Sequence, residues 1–359
     1  MGRARPFSAV GTNRRPSIDL LRFVAAMMVA AMHWGLELGP QRYAGVYELV
    51  IIGDLVRNGA FGVDIFFVIS GFVIIGTAQN HHAIDFIFAR FTRLFPGLLV
   101  SMLIVLAVGT HFIQAYEDPT ASFIHSIFLT YQVSGVEPIA TPLWTLIIEV
   151  KFYIGVAIVL FIFPSIFKTS KGIALLLLIW ECTILVSRES NSPLGNFLLP
   201  YLTLNGFYNL FALGICFNIL SRVKVGLTKD FFIISLISLK FIYEIFLVAT
   251  YPVNLKICLV IISTIILCSS KINFPPRLQQ ISYLLGLSSY LIYLLHSHLG
   301  MVFVLQIQSR ISDNIFFITG LSMFLITISS IILAVLIEKP IQKSFQKQFK
   351  RQYPNTKIK

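Results

Sequence analysis

Charge is what this sequence has least of. Acidic and basic residues make up 12% of its 359 residues, against 56% hydrophobic ones. That is about half the charged share of an average soluble protein, which excludes an ordinary soluble globular domain. Cysteine is scarce too: Cys182, Cys216, Cys258 and Cys268 all fall inside apolar runs. None makes a CxxC pair or a metal-ligand spacing, so they read as small apolar packing residues with neither disulfide nor redox role. Internal repeats and low-complexity tracts are missing. The longest connections between apolar runs, 38–60 and 114–142, are too short for a soluble domain. The formal net charge is +12, yet the basic residues are scattered over short connections rather than gathered on one folded face. That removes nucleic acid as a partner.

What is there is a succession of long apolar segments. The sequence predicts an all-α, polytopic membrane helical bundle of about ten transmembrane helices. The spans lie near 18–37, 61–79, 96–113, 143–164, 172–187, 200–220, 230–250, 254–270, 286–308 and 314–337. Only Arg42, Arg57, Arg188 and Arg310 fall in loops on one side, while twenty lysines and arginines lie in the tails and loops of the other. The positive-inside rule then puts both termini in the cytoplasm. The organisation expected is a basic cytoplasmic segment (1–17), a membrane domain (18–338) and a basic cytoplasmic tail (339–359) that meets anionic membrane lipids. The basic, apolar start looks like a signal sequence. Arg22 interrupts it and no small-residue cleavage site follows, so a retained signal anchor is expected.

Arg22 and His33 break the first apolar run, and neither is cheap at membrane depth. Their spacing is eleven residues, which turns a helix about 20° past three full turns and rises about 16 Å. They share one face at two depths. This suits a long anionic ligand held at its charged end near Arg22, with its reactive end by His33. An arginine reaching the headgroups and a histidine bonded within the bundle fit the same spacing. Asp64 enters at the depth of His33, and Ser70-Gly71 sits near mid-membrane, where small residues let helices approach closely. Arg90 and Arg93 are one turn apart before Pro96, in a loop that ends as Pro96 opens the next span. With Arg22 at the same level they form a three-arginine phosphate clamp, although positive-inside charge alone also explains the pair. Trp144 fits the interfacial belt. Glu149, about 8 Å below it along the helix, is a carboxylate able to orient His33 for general-base work. Tyr293 and His296 share a face and either line a cavity or form a packing cluster. No metal is expected, because His296 and His298 point to different faces with no carboxylate at the needed spacing. Lys240 and Glu244 read as an i, i+4 structural pair, and Glu181 has no evident partner.

At these residues the chain resembles the acyltransferase-3 family of integral-membrane O-acyltransferases. Ile18-Asp19-Leu20-Leu21-Arg22 with His33 looks like its first-helix motif, and Gly62-Val63-Asp64 through Ser70-Gly71 is similar to its second-helix signature. Arg90-x-x-Arg93-x-x-Pro96, Leu143-Trp144-Thr145-Leu146-x-x-Glu149-x-x-Phe152-Tyr153, Gly286-x-x-Ser289-Tyr290-x-x-Tyr293-Leu294-x-His296 and Glu338-Lys339-Pro340 match in order. Thr145 stands where the family usually has serine, and Ala89 where a further arginine is common. The resemblance implies a multi-pass enzyme of the bacterial inner (plasma) membrane. It would transfer an acyl group, acetyl first of all, from cytoplasmic acyl-coenzyme A to a hydroxyl of a surface glycan or lipid-linked saccharide, without a metal. Many members carry an added esterase-like domain, and this chain resembles the stand-alone glycan modifiers.

On that reading Arg22, Arg90 and Arg93 hold the coenzyme A phosphates. His33 is the general base, with Glu149 or Asp64 orienting it, and an acyl-histidine intermediate is a second route. Trp144, Ser70, Tyr293 and His296 shape the substrate pocket. Two other classes compete. In a small organic-acid transporter, Arg22 would bind the carboxylate while His33 and Glu149 relay protons, although no inverted repeat supports it. A non-catalytic subunit of a polysaccharide assembly complex would make His33 dispensable.

Overall fold

The computed structural model describes residues 15–38, 56–113, 116–189, 192–222, 229–243, 262, 265–266, 269 and 272–353. These residues form an all-α bundle. Its long helices are α1 (Pro16–Leu38), α2 (Phe61–Ala78) and α3 (Ala83–Val108). A short helix α4 (Pro119–Ile127) follows, then α5 (Leu143–Ile162), α6 (Ser170–Glu189), α7 (Pro193–Leu202), α8 (Tyr208–Leu220) and α9 (Lys229–Tyr243). The chain ends with α10 (Pro276–Leu295), α11 (Met301–Arg310), α12 (Ile315–Leu333) and α13 (Lys339–Gln352). Among the described residues seven helices are long and apolar enough to cross a membrane, and Tyr208–Leu220 and Ile234–Tyr243 are shorter apolar helices. The chain is a multi-pass membrane protein.

Local chemistry accounts for the helix starts. The Asp118 carboxylate accepts from the backbone N–H of Thr120 and Ala121 ahead of Pro119, the first residue of α4. Asn314 does the same for Phe316 and Phe317 at the start of α12. Each cap satisfies donors that the first helical turn cannot.

α2 is the centre of the bundle, packed between α1 and α8. Glycines permit the approach. A Cβ at Gly71 would run into the Phe211 carbonyl of α8, and one at Gly214 into the Val68 carbonyl of α2. The two backbones therefore touch reciprocally, and Asn218 Nδ2 donates to the Phe72 carbonyl across the same seam at 2.6 Å. Packing of this kind drives association where lipid offers no hydrophobic gain. α10 also packs closely on α1, where a Cβ at Gly286 would run into the Asp19 side chain.

Several spans differ from those read in the sequence. The helix expected to open at Pro96 begins at Ala83, so Arg90 and Arg93 stand on a helix rather than in a loop. Proline costs one ladder hydrogen bond, and Tyr290 of α10 donates to the neighbouring Leu94 carbonyl at 3.2 Å. The segment 200–220 is two helices, because Leu204 and Asn205 take positive φ. α10 starts ten residues before the expected 286 and runs into a π-turn, His296–Gly300; α12 ends in another, Ala334–Glu338. Lys240 reaches Glu181 of α6 at 2.7 Å, which gives Glu181 its partner; Glu244 lies outside the described residues. So do Cys258 and Cys268, most of the span 254–270, and residues 1–14 and 354–359.

Valine at Gly71 or Gly214 is expected to prevent stable folding, because its Cβ meets a backbone carbonyl that cannot yield. Alanine at Gly155, where the space is open, should leave the protein intact or slightly stabilised. Thermal unfolding of the detergent-solubilised variants checks this, and equal melting temperatures for all three would contradict it.

Candidate active site in the bundle core

One cavity of about 80 Å³ gathers polar side chains from five helices: Arg22 of α1, Ser70 of α2, Arg90 and Arg93 of α3, Thr145, Glu149 and Tyr153 of α5, and Tyr290 and Tyr293 of α10. The three arginines expected to form a clamp therefore do share one site. Arg93 pairs with Glu338 at 3.0 Å and lies over the Tyr290 ring. Arg90 lies over the rings of Phe86 and Tyr153. The buried Nε atoms of Arg22 and Arg90 have no hydrogen-bond partner among the described residues. A buried donor left unmade is costly, and two such guanidinium donors in one cavity suit an oxygen-rich anion.

Glu149 stands at the middle of the wall. It accepts from Ser70 Oγ at 3.1 Å and from the Tyr153 hydroxyl one turn below. It is within electrostatic range of both Arg22 and Arg90. That placement revises the expected pairing with His33: the Glu149 carboxylate belongs to the arginine layer. Asp64, the other expected orienting group, is buried in the first turn of α2 and does not line the cavity.

The ring that meets His33 is His296. His33 Nδ1 and His296 Nε2 are 2.8 Å apart, and His296 Nδ1 is 2.7 Å from the Tyr293 carbonyl oxygen. A carbonyl only accepts, so His296 Nδ1 carries the proton and its Nε2 is an acceptor. His33 must then donate from Nδ1, which leaves its Nε2 without a proton. This two-step chain gives His33 the tautomer a general base needs. His296 is the first residue of the π-turn. Its i→i+5 bonding releases carbonyls from the ordinary ladder, and Trp34 Nε1 donates to the His296 carbonyl at 3.0 Å. His296 and Trp34 are both fully buried.

Tyr293 joins the two layers. Its hydroxyl is 2.8 Å from Thr145 Oγ1 on the cavity wall, and its carbonyl anchors His296. His33 itself is half-buried and stands behind this junction, outside the cavity lining. Trp144, expected in the pocket, packs instead against Phe207 with ring centroids 5.8 Å apart, while its neighbour Thr145 faces the cavity. Gly71 serves helix packing, and Ser70, expected in the substrate pocket, lines the site. Tyr153, Tyr290 and Glu338 were not among the expected site residues. Tyr153 was findable, being one helical turn beyond Glu149 and polar within an apolar run.

The tautomer chain has a direct readout. Nitrogen-15 spectra of histidine-labelled protein should show both His33 and His296 protonated at Nδ1 and bare at Nε2. The His296→Phe variant should return His33 to a mixture of tautomers. A protonated Nε2 on His33 in the unaltered protein would contradict the chain.

Comparison with known proteins fits this site. A family model described as an acyltransferase domain matches residues 15–339. The chain is similar to nodulation protein 10 of Rhizobium leguminosarum bv. viciae, 32% identical over 178 residues, covering 43% of this chain and 47% of that protein. It is also similar to the peptidoglycan O-acetyltransferase OatA of Listeria monocytogenes serovar 1/2a, 28% identical over 198 residues, covering 48% of this chain and 29% of that protein. The matched regions thus span less than half the length of either relative. No solved structure matches the chain. The matched region runs from the residue before α1 to the residue after Glu338 and so contains every residue of the site described above: the chain belongs to the acyltransferase-3 family.

Proposed function

We propose that the protein is a membrane O-acyltransferase that moves an acetyl group from acetyl-coenzyme A, held from the cytoplasmic end, to a hydroxyl of a surface saccharide presented at the opposite end. The observation that carries the reading is the His33–His296–Tyr293 chain, which fixes an unprotonated imidazole nitrogen about 16 Å along α1 from an arginine with an unmet buried donor. The acetyl and saccharide parts are suggested by the activity named for the Listeria relative. Family membership supports the acyl transfer.

Arg22, Arg90 and Arg93 would hold the diphosphate, with forked donors matched to its oxygens. His33 Nε2 takes the proton of the acceptor hydroxyl as that oxygen attacks the thioester carbonyl carbon. The tetrahedral intermediate collapses, the carbon–sulfur bond breaks, and the proton on His33 passes to the leaving sulfur. The products are the ester and the coenzyme A thiol. His296 orients the imidazole throughout and stabilises its charged form only weakly, since it is itself neutral.

Protein in liposomes, given labelled acetyl-coenzyme A and base-de-O-acetylated surface polysaccharide from the cells that make it, should release thiol and label the polysaccharide. His33→Ala should lower the rate by about 100-fold or more. Arg22→Ala should raise the half-saturating acetyl-coenzyme A concentration by about tenfold or more. Label that crosses the membrane with its thioester intact, and no thiol release, would identify a transporter and overturn the proposal.

A further inference from the structure

The connection between α3 and α5 is built more rigidly than a passive link needs to be. The Tyr116 hydroxyl is 2.8 Å from the Ile139 carbonyl and 2.9 Å from His298 Nε2. The carbonyl can only accept, so the tyrosine proton goes there and His298 donates from Nε2 to the phenol oxygen. The Ile139 N–H donates to Ser126 Oγ of α4 at 2.8 Å. These bonds tie both arms of the connection to each other and to the π-turn of the histidine chain. Between them lies a short helical turn, Tyr131–Ser134, closed by Gly135 at φ 72°. Leu129, just before it, takes φ 55°, which costs any residue with a Cβ.

What this framework holds in place is Tyr131. Its ring is 7% exposed, and its buried hydroxyl has no hydrogen-bond partner among the described residues. The group lies within electrostatic range of Tyr293, the residue that joins the cavity to the histidine chain. A buried hydroxyl left unmade is destabilising, and a phenylalanine would fill the same space without that cost. Burial pushes the Tyr131 hydroxyl up to about 12, so it keeps its proton at any physiological pH and is a donor.

We propose that the Tyr131 hydroxyl binds the acceptor: it donates a hydrogen bond to an oxygen of the saccharide beside the hydroxyl that is acylated, and so helps set which saccharide is used. The ligand class is a polyhydroxylated sugar, whose oxygens accept such a bond. The proposal rests on the acyl-transfer reading above. On that proposal Tyr131 serves the acceptor side of the site, apart from the cavity lining that carries the arginines.

The test is Tyr131→Phe, with two readouts. The first is thermal unfolding in detergent. Removing an unmatched hydroxyl should leave the melting temperature equal or higher; a fall means that the hydroxyl has a structural partner, and the proposal fails. The second titrates base-de-O-acetylated surface polysaccharide and acetyl-coenzyme A separately in liposomes. The half-saturating polysaccharide should rise about fivefold to tenfold, the value of one neutral hydrogen bond, while that for acetyl-coenzyme A stays within about a factor of two. An unchanged polysaccharide titration, or a loss confined to the maximal rate, overturns the role of Tyr131 and leaves the acyl-transfer reading standing. Absence of transfer by the unaltered protein overturns that reading, and the role of Tyr131 with it.

Discussion

The whole site depends on one constraint: a charge taken into a membrane has to be met by other polar groups of the protein. Arg22, Arg90 and Arg93 bring three guanidiniums into the bundle, and the surrounding helices are arranged to receive them. Glu149 and Glu338 supply carboxylates, Tyr153 and Tyr290 offer ring faces, and Asp19 lies within range of Arg22. The balance is incomplete, because two arginine Nε atoms stay unmatched among the described residues. Donors left over among buried cations are what the proposed anionic donor would engage. A purely structural network would be expected to close.

A second layer, deeper along α1, follows a different logic. Two imidazoles, an indole and a backbone carbonyl settle one another's proton positions through donor and acceptor rules alone. The π-turn at His296–Gly300 begins with His296, whose carbonyl accepts from Trp34, and the second π-turn at Ala334–Glu338 ends with Glu338, the partner of Arg93. Both irregular turns thus fall where a site residue has to leave the ordinary helical register, as such bulges often do.

Much of this was legible in the sequence, and the rest failed for identifiable reasons. Arg22 and His33 on one face follow from helix geometry, and the shared level of the three arginines follows from topology read through loop charge. Membership of the family was legible from six short motifs in order. The pairing of His33 with His296 was not, since it joins residues 263 positions apart and depends on which rotamer each ring takes. The distance from Trp144 along the helix puts Glu149 at the level of the histidine; its partners Ser70 and Tyr153 put it with the arginines. Pro96 was read as a helix start, the position it favours, although a hydroxyl from α10 bonds a neighbouring carbonyl and the helix runs through it. Tyr131 gave no signal, because a tyrosine in a connection becomes informative only when its burial is known.

The central claim is that a single bound donor spans both layers, with its phosphates among the arginines and its acyl carbon at His33. A structure of the protein with a thioether analogue of acetyl-coenzyme A, in which the carbon–sulfur bond cannot be cleaved, tests it most directly. The account predicts phosphate oxygens within hydrogen-bond distance of Arg22, Arg90 and Arg93, and the analogue's carbonyl beside His33 Nε2. A donor bound with its phosphates away from these arginines, or with its acyl end on the far side of Tyr293 from His33, would contradict it.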